Sequence, residues 1–276
     1  MHIENNPLKQ YFRRPSIYIK LPSKGLNYDE GVIMLTENGE LPVYPMTAID
    51  EITSKTPDSL YNGTAVAEII KSCVPNIIDP WKINSTDLDA ILVGIRIATN
   101  GNEMDIETHC PSCDEDFKYG INLAVILNNF LPGDYSKPMV IGDLQIKFRP
   151  LNYRELTANA IRQFEIQRAL VNINSLDDGP EKEKKSSDLF KTIALSTIEL
   201  IANTIDSIVT NEIVVTEKAY ILDYLQNTDK KIVDAIKEKS LSLRETTQMK
   251  PLEIDCNGCK HHYTQPFTLN VSDFFE

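Results

Sequence analysis

The sequence predicts an α+β fold, mainly helical, in which a small β-rich module is split by a large helical insertion and preceded by an extended N-terminal arm. Three observations carry this prediction. The pair Cys110-Pro-Ser-Cys113 returns 146 positions later as Cys256-Asn-Gly-Cys259. Most of the chain between the two pairs places apolar residues at helical spacing. The first residues hold Pro7, Pro15 and Pro22, which remove backbone donors and keep a chain extended.

The composition bounds what such a chain can be. A length of 276 residues suggests about two domains, and 42% hydrophobic with 25% charged residues is enough apolar chain for a real core. No run of about 18 apolar residues appears, so no transmembrane helix is expected. The opening MHIENNPLKQYFRRP lacks the apolar stretch of a secretory signal. These features place the chain in a cytoplasm or in a particle assembled there. A formal charge of −12 repels phosphate backbones. Five cysteines, an odd number, read as thiols of a reducing compartment.

The elements follow in order. Residues 1–30 form the arm, with a β-like Ile17-Tyr18-Ile19. Residues 32–35 and 41–44 read as a hairpin turning at Asn38-Gly39, the second strand demoted to an edge by Pro42. Thr47 caps a short helix through Ile52, with Asp50 and Glu51 in its first turn. Helices then begin at Thr64, with Val66, Ile69, Ile70 and Cys73 on one face, and at Ser85 or Thr86, with Leu88, Ile91, Leu92 and Ile95. Cys73 reads as a buried small hydrophobe.

The first cysteine pair closes a region spanning 31–124. Residues 125–250 are the predicted insertion. It opens on a hairpin at 138–149 and a long amphipathic helix at 152–172. The polar stretch 175–187 reads as a mobile loop, and an unusually apolar helix at 187–209 reads as the buried centre of a bundle. A short strand at 213–215 and helices from Thr216 and Asp229 complete it. Residues 251–276 carry the second pair and return to pack with 31–124.

The two cysteine segments form a repeat. Glu107 matches Glu253, Phe117 matches Tyr263, and Leu123 matches Leu269 around the aligned cysteines. Each segment reads as strand, knuckle turn and strand. A CxxC knuckle aims two thiolates at one point, and two knuckles supply the four tetrahedral ligands of a zinc ion. Redox CxxC pairs begin a helix after a strand, and these do not. The expected site is therefore a zinc ribbon with one structural zinc per chain, held by Cys110, Cys113, Cys256 and Cys259. Four thiolates leave no open position for catalysis. No GxxxxGK[ST], GxGxxG, HExxH or GxSxG is present, and 11 glycines leave little room for phosphate-cradling loops. The chain reads as a non-enzyme without catalytic residues or a small-molecule substrate.

A resemblance enters at Leu21-Pro22-Ser23-Lys24-Gly25-Leu26-Asn27-Tyr28 and at Pro45-Met46-Thr47-Ala48-Ile49-Asp50-Glu51. It continues through Leu60-Tyr61-Asn62-Gly63, Ser72-Cys73-Val74-Pro75 and the run from Asp89 to Arg96. These stretches resemble the baseplate-hub assembly proteins of T-even-type contractile-tailed phages, over roughly residues 15–125 and more loosely beyond. The resemblance implies a structural component or assembly factor of the tail baseplate hub, with other baseplate proteins as partners. It places the chain in the host cytoplasm during assembly and in the virion tail if retained. The competing class is a zinc-ribbon adaptor of transcription or replication. Such an adaptor needs Lys and Arg around its knuckles. Here the knuckles carry Glu107, Asp114, Glu115, Asp116, Glu253 and Asp255 against Lys118 and Lys260.

The expected partner contacts are Arg13, Arg14, Ile17, Tyr18 and Ile19 of the arm, by strand addition to a partner's sheet edge, and Phe274 and Phe275 at the far end.

Overall fold

The computed structural model describes residues 6–57, 61–211, 213–267 and 269. In chain order the elements are β1 (Ile17–Lys20), β2 (Glu40–Val43), α1 (Ala48–Ser54), α2 (Thr64–Cys73), α3 (Ser85–Asn100), β3 (Glu103–His109), β4 (Asp116–Asn122) and α4 (Leu123–Asn128). They continue with β5 (Met139–Ile141), β6 (Leu144–Phe148), α5 (Tyr153–Asn174), α6 (Pro180–Thr204), β7 (Ile205–Val209), β8 (Val214–Val215), α7 (Lys218–Asn227), α8 (Lys230–Glu245), β9 (Leu252–Asp255) and β10 (His262–Gln265). The chain divides into two compact units. One comprises Met1–Pro80, Asp87–Phe130 and Met249–Glu276, the other Trp81–Thr86 and Leu131–Gln248.

In the first unit, β1 and β2 pair antiparallel, with Ile19 opposite Leu41 and Ile17 opposite Val43. Their inward side chains, Ile19, Leu41 and Val43, are buried. The ribbon lies close on α3 at Gly94, where an added Cβ would stand 3.1 Å from the Ile19 methyl carbons. Thr47 and Asp50 form a capping box at the start of α1, each side chain bonding the other's backbone N–H. Buried Ile69, Ile70, Ile91 and Ile95 give α2 and α3 their apolar faces. Cys73 is also buried, which pushes its thiol up to about 12.

The arm is not a free extension. Its strand is spent on β2, and the Arg13 guanidinium is held by the chain's own groups. It donates to the carbonyls of Pro45 and Ser72, to the Ser72 hydroxyl and, at 3.3 Å, to Asp50 Oδ2. A second pin follows β1. The buried Asp87 carboxylate accepts from Ser23 N–H at 2.9 Å, from the Ser23 hydroxyl and from the Tyr28 hydroxyl at 2.7 Å. Burial pushes the Asp87 carboxyl above its ordinary range, while the Ser23 and Tyr28 donors pull it back.

The predicted 32–35 strand does not form, apart from an isolated bridge from Ile33 to Ile77. The Asn38-Gly39 turn is present, closed by Thr36 N–H on the Glu40 carbonyl at 3.0 Å. The strand after it takes β1 as its partner, because Ile17 and Ile19 supply the β-branched edge that completes the inward apolar face.

The second unit carries an antiparallel sheet in the order β5-β6-β7-β8. Its core gathers Ile146 and Phe148 of β6, Ile205 and Ile208 of β7, Ile201 of α6, Ile221 and Leu225 of α7 and Ile236 of α8. Asn152 caps α5 in a capping box with Glu155. Trp81 stacks on Tyr153 with ring centroids 5.3 Å apart, and the Arg154 guanidinium lies over the Trp81 ring, 5.2 Å from its centroid.

Two expectations fail here. The polar stretch 175–187 is a loop only to Gly179, since Pro180 starts α6 at a position where its missing N–H costs nothing. Glu181 and Glu183 then occupy the first turn, and Asp178–Lys182 and Glu181–Lys185 pair at helical spacing. The apolar stretch 187–209 is not one buried helix. It leaves the helix at Thr204, and β-branched Ile205, Ile208 and Val209 join the sheet. Within α6 only Ile201 and Ala202 are buried, while Phe190 is 64% exposed. The Lys218 ammonium closes the junction, donating to the carbonyls of Ala202 at 2.8 Å and Ile205 at 2.6 Å.

Arg13→Ala and Asp87→Ala each strand several buried donors or acceptors. Each is expected to lower the stability of the protein by about 2–4 kcal/mol in urea unfolding. Removal of residues 1–20 is expected to lower the melting temperature, since it takes away β1 along with Arg13.

Candidate metal centre

Two hairpins of the first unit build the site. In the first, β3 and β4 pair from Glu103 opposite Asn122 to His109 opposite Asp116. In the second, β9 and β10 pair from Leu252 opposite Gln265 to Asp255 opposite His262. Each is closed by a knuckle with the same backbone bonds. Cys110 N–H donates to the Glu115 carbonyl at 3.0 Å, and Asp114 N–H returns to the Cys110 carbonyl at 3.0 Å. The second knuckle repeats them, with Cys256 on His261 at 3.0 Å and Lys260 on Cys256 at 3.1 Å. Asp114 and Lys260, each following the second cysteine of its pair, both take left-handed backbone, with φ of 61° and 60°.

The knuckles face each other. Cys110 Sγ lies 3.7 Å from Cys259 Sγ, and Cys113 Sγ lies 3.6 Å from Cys256 Sγ. All four sulfurs fall within 4.8 Å of one another. A disulfide needs sulfurs about 2.05 Å apart. Four sulfurs bound at about 2.3 Å to a tetrahedral centre stand about 3.8 Å apart, and the observed spacing fits that. Cys110 and Cys256 are buried, and Cys113 and Cys259 lie at the surface.

The electrostatics agree with the spacing. Burial pushes the Cys110 thiol up, but the backbone of Cys113 and Ser112 and the neighbouring sulfurs of Cys113 and Cys256 outweigh it and bring it down to about 7. The Cys113 thiol is held up at about 12, chiefly by the sulfur of Cys259, then by burial and by Cys110 and Cys256. Negative charge on one sulfur thus opposes charge on its neighbours, a situation that a bound cation would relieve. The four side chains can therefore hold a thiophilic metal ion with no coordination position left over.

Side chains tie the hairpins together beyond the sulfurs. The buried Thr108 hydroxyl of β3 bonds the Tyr263 hydroxyl of β10 at 2.7 Å and also reaches Gln265. Glu115 of the first knuckle lies against Gly258 of the second, where an added Cβ would stand 2.0 Å from a carboxylate oxygen. An open groove of about 950 Å³ runs beside this seam, lined by residues that include Phe117 and Tyr263.

The repeat hides an exchange. His109 Nδ1 meets Asp116 at 2.8 Å, and His262 Nδ1 meets Asp255 at 2.9 Å. The same cross-strand pair occurs in both hairpins with its members swapped. A search for His opposite His does not find it. Aligned at the 146-residue offset, the complementary residue types are its signal. In the first hairpin Asp116 and Asp114 raise the pKa of the His109 imidazole.

The remaining candidates of the sequence reading separate. Arg13 and Ile19 face the protein's own interior, Ile17 is half-buried on the strand, and Arg14 and Tyr18 are exposed. Phe274 and Phe275 lie outside the described residues.

Comparison with known proteins decides the family. A family model described as T4 bacteriophage base plate protein matches residues 19–276. The chain belongs to this family. No curated protein and no solved structure matches this base plate protein. Among its described residues no helix is long and apolar enough to cross a membrane.

Thr108→Val would leave the Tyr263 hydroxyl and Gln265 without their shared partner. The variant is expected to lose about 1–3 kcal/mol of stability in urea unfolding.

Proposed function

We propose that this base plate protein is a non-enzymatic component of the tail baseplate hub, acting through protein–protein contacts as a structural part or an assembly factor. A single structural zinc ion held by Cys110, Cys113, Cys256 and Cys259 clamps its two hairpins. The observation that carries the proposal is the closed set of four sulfurs at tetrahedral spacing in a chain of the base plate family. A closed thiolate set binds metal for folding, because no ligand position remains for water or substrate. Zinc is the ion preferred by four thiolates in this geometry without redox chemistry. Assembly places the protein in the host cytoplasm, and incorporation would carry it into the tail.

Elemental analysis of protein never exposed to chelator is expected to give one zinc per chain, and a ratio near zero overturns the metal assignment. Replacement by cobalt is expected to give the absorption of a tetrahedral thiolate site. Cys110→Ser is expected to lose the metal and several kcal/mol of stability. The loss stays below the roughly 10 kcal/mol of isolated zinc modules, since both units have apolar cores of their own.

The hub role is tested by assembling baseplates in infected cells that lack this protein. Complexes missing their central hub are expected, and complete baseplates overturn the reading. Retention of the purified protein on single-stranded or duplex DNA at physiological salt would favour the nucleic-acid adaptor instead.

A further inference from the structure

The segment from Asn6 to Tyr28 differs from the rest of the chain in charge. It holds Lys9, Arg13, Arg14, Lys20 and Lys24 and no Asp or Glu. The chain as a whole carries 28 basic and 40 acidic residues. A run of this length without a carboxylate therefore stands out against a strongly acidic background.

The segment is also fixed in place. A short 3-10 turn, Pro7–Tyr11, opens it, capped by the Asn6 side chain on Leu8 N–H at 2.9 Å. Arg13 then anchors it through Pro45, Asp50 and Ser72. Ser16 N–H bonds the Val43 carbonyl at 2.9 Å, and β1 continues that pairing. This anchoring separates inward from outward side chains. Arg13 and Ile19 turn in. Leu8, Tyr11, Phe12 and Tyr18 turn out, with Tyr11 77% and Tyr18 58% exposed. In a 3-10 turn, residues three apart share a face, so Leu8 and Tyr11 stand on one side.

Holding aromatic side chains in water on a rigid backbone is unfavourable unless something covers them. Aromatics with arginine are the residue types that dominate protein interfaces, and rigid presentation lowers the entropy lost on binding. Arg13 is paired with Asp50 and Lys20 with Glu40, at 3.3 and 3.9 Å, so the charge available for selection rests on Arg14 and Lys24, and such exposed cations select an anionic partner and speed its approach. Nucleic acid fits less well, because the remaining acidic body would repel its backbone.

We infer that residues 8–24 form a docking surface for the acidic face of another protein of the baseplate, with Leu8, Tyr11, Phe12 and Tyr18 as the apolar anchors and Arg14 and Lys24 as the charges that select it. This rests on the hub reading and names the chemistry of the partner. It replaces strand addition by the arm with side-chain docking on a strand already paired in the chain itself.

The test uses the incomplete baseplate complexes purified from infected cells that lack this protein, to which the full-length purified protein is added. The wild type is expected to join them, and less well as salt is raised through the range where surface charges are screened. Arg14→Glu with Lys24→Glu, and separately Tyr11→Ala with Phe12→Ala and Tyr18→Ala, are each expected to reduce joining by about tenfold. Both variants should retain the wild-type melting temperature and metal content, which excludes unfolding as the cause. Ile49→Ala with Ile52→Ala, two exposed apolar residues of α1, should join normally.

If both surface variants join like the wild type, or salt has no effect, the docking surface is overturned and the hub reading stands. If the wild type itself does not join, both fall. Variant-sensitive oligomers of the purified protein in sedimentation would identify a second copy as the occupant and overturn the acidic partner. Variant-sensitive binding of single-stranded DNA would overturn it in favour of nucleic acid.

Discussion

The close approach of four sulfurs, all within 4.8 Å of one another, is the constraint around which the hairpin pair is arranged. The local features around them fix that geometry. The knuckle backbone stabilises the first thiolate, the left-handed residues after Cys113 and Cys259 turn each chain back, and Thr108 holds one strand to the other hairpin. Each hairpin alone is two short strands, a size that is marginal in water. Joined at the sulfurs, they bury Cys110, Ile254 and Cys256 together with Thr108.

The cysteine site was legible in the sequence because its chemistry depends on covalent spacing. CxxC fixes a knuckle locally, and the flanking repeat supplies strand pairing on both sides. The His109–Asp116 and Asp255–His262 exchange was harder to see, since it is a matter of complementary types across a register and not of identity. The contact of Thr108 with Tyr263 and Gln265 gave no signal, because it depends on how two hairpins distant in sequence are laid together.

Elsewhere local signals succeeded where caps and periodicity coincide. Thr47 marked a helix start that the structure keeps, and the helix read from about Asn152 begins there, under a capping box with Glu155. They failed where tertiary pairing overrides local preference. Ile205 to Val209 continue an apolar helical pattern, yet the open edge of β6 takes them as a strand. Pro7, Pro15 and Pro22 suggested an extended arm, but its strand pairs with β2 of the chain itself, where Pro42, read as marking an edge, sits opposite Tyr18 in a two-stranded ribbon that tolerates a missing donor. The polar 180–187 run lacked apolar spacing, and its helix is supported instead by a starting proline and by ion pairs one turn apart.

The 146 residues that separate the two knuckles also separate them in time. A ribosome adding 5–20 residues per second needs roughly 7–30 s to pass from one to the other. During that interval Cys110 and Cys113 stand without the facing cysteines that complete their cluster. The four sulfurs can meet only on a chain whose intervening 131–248 unit has already been made. A chain ended before the second knuckle would carry half of the cluster and none of the β9–β10 hairpin that faces it.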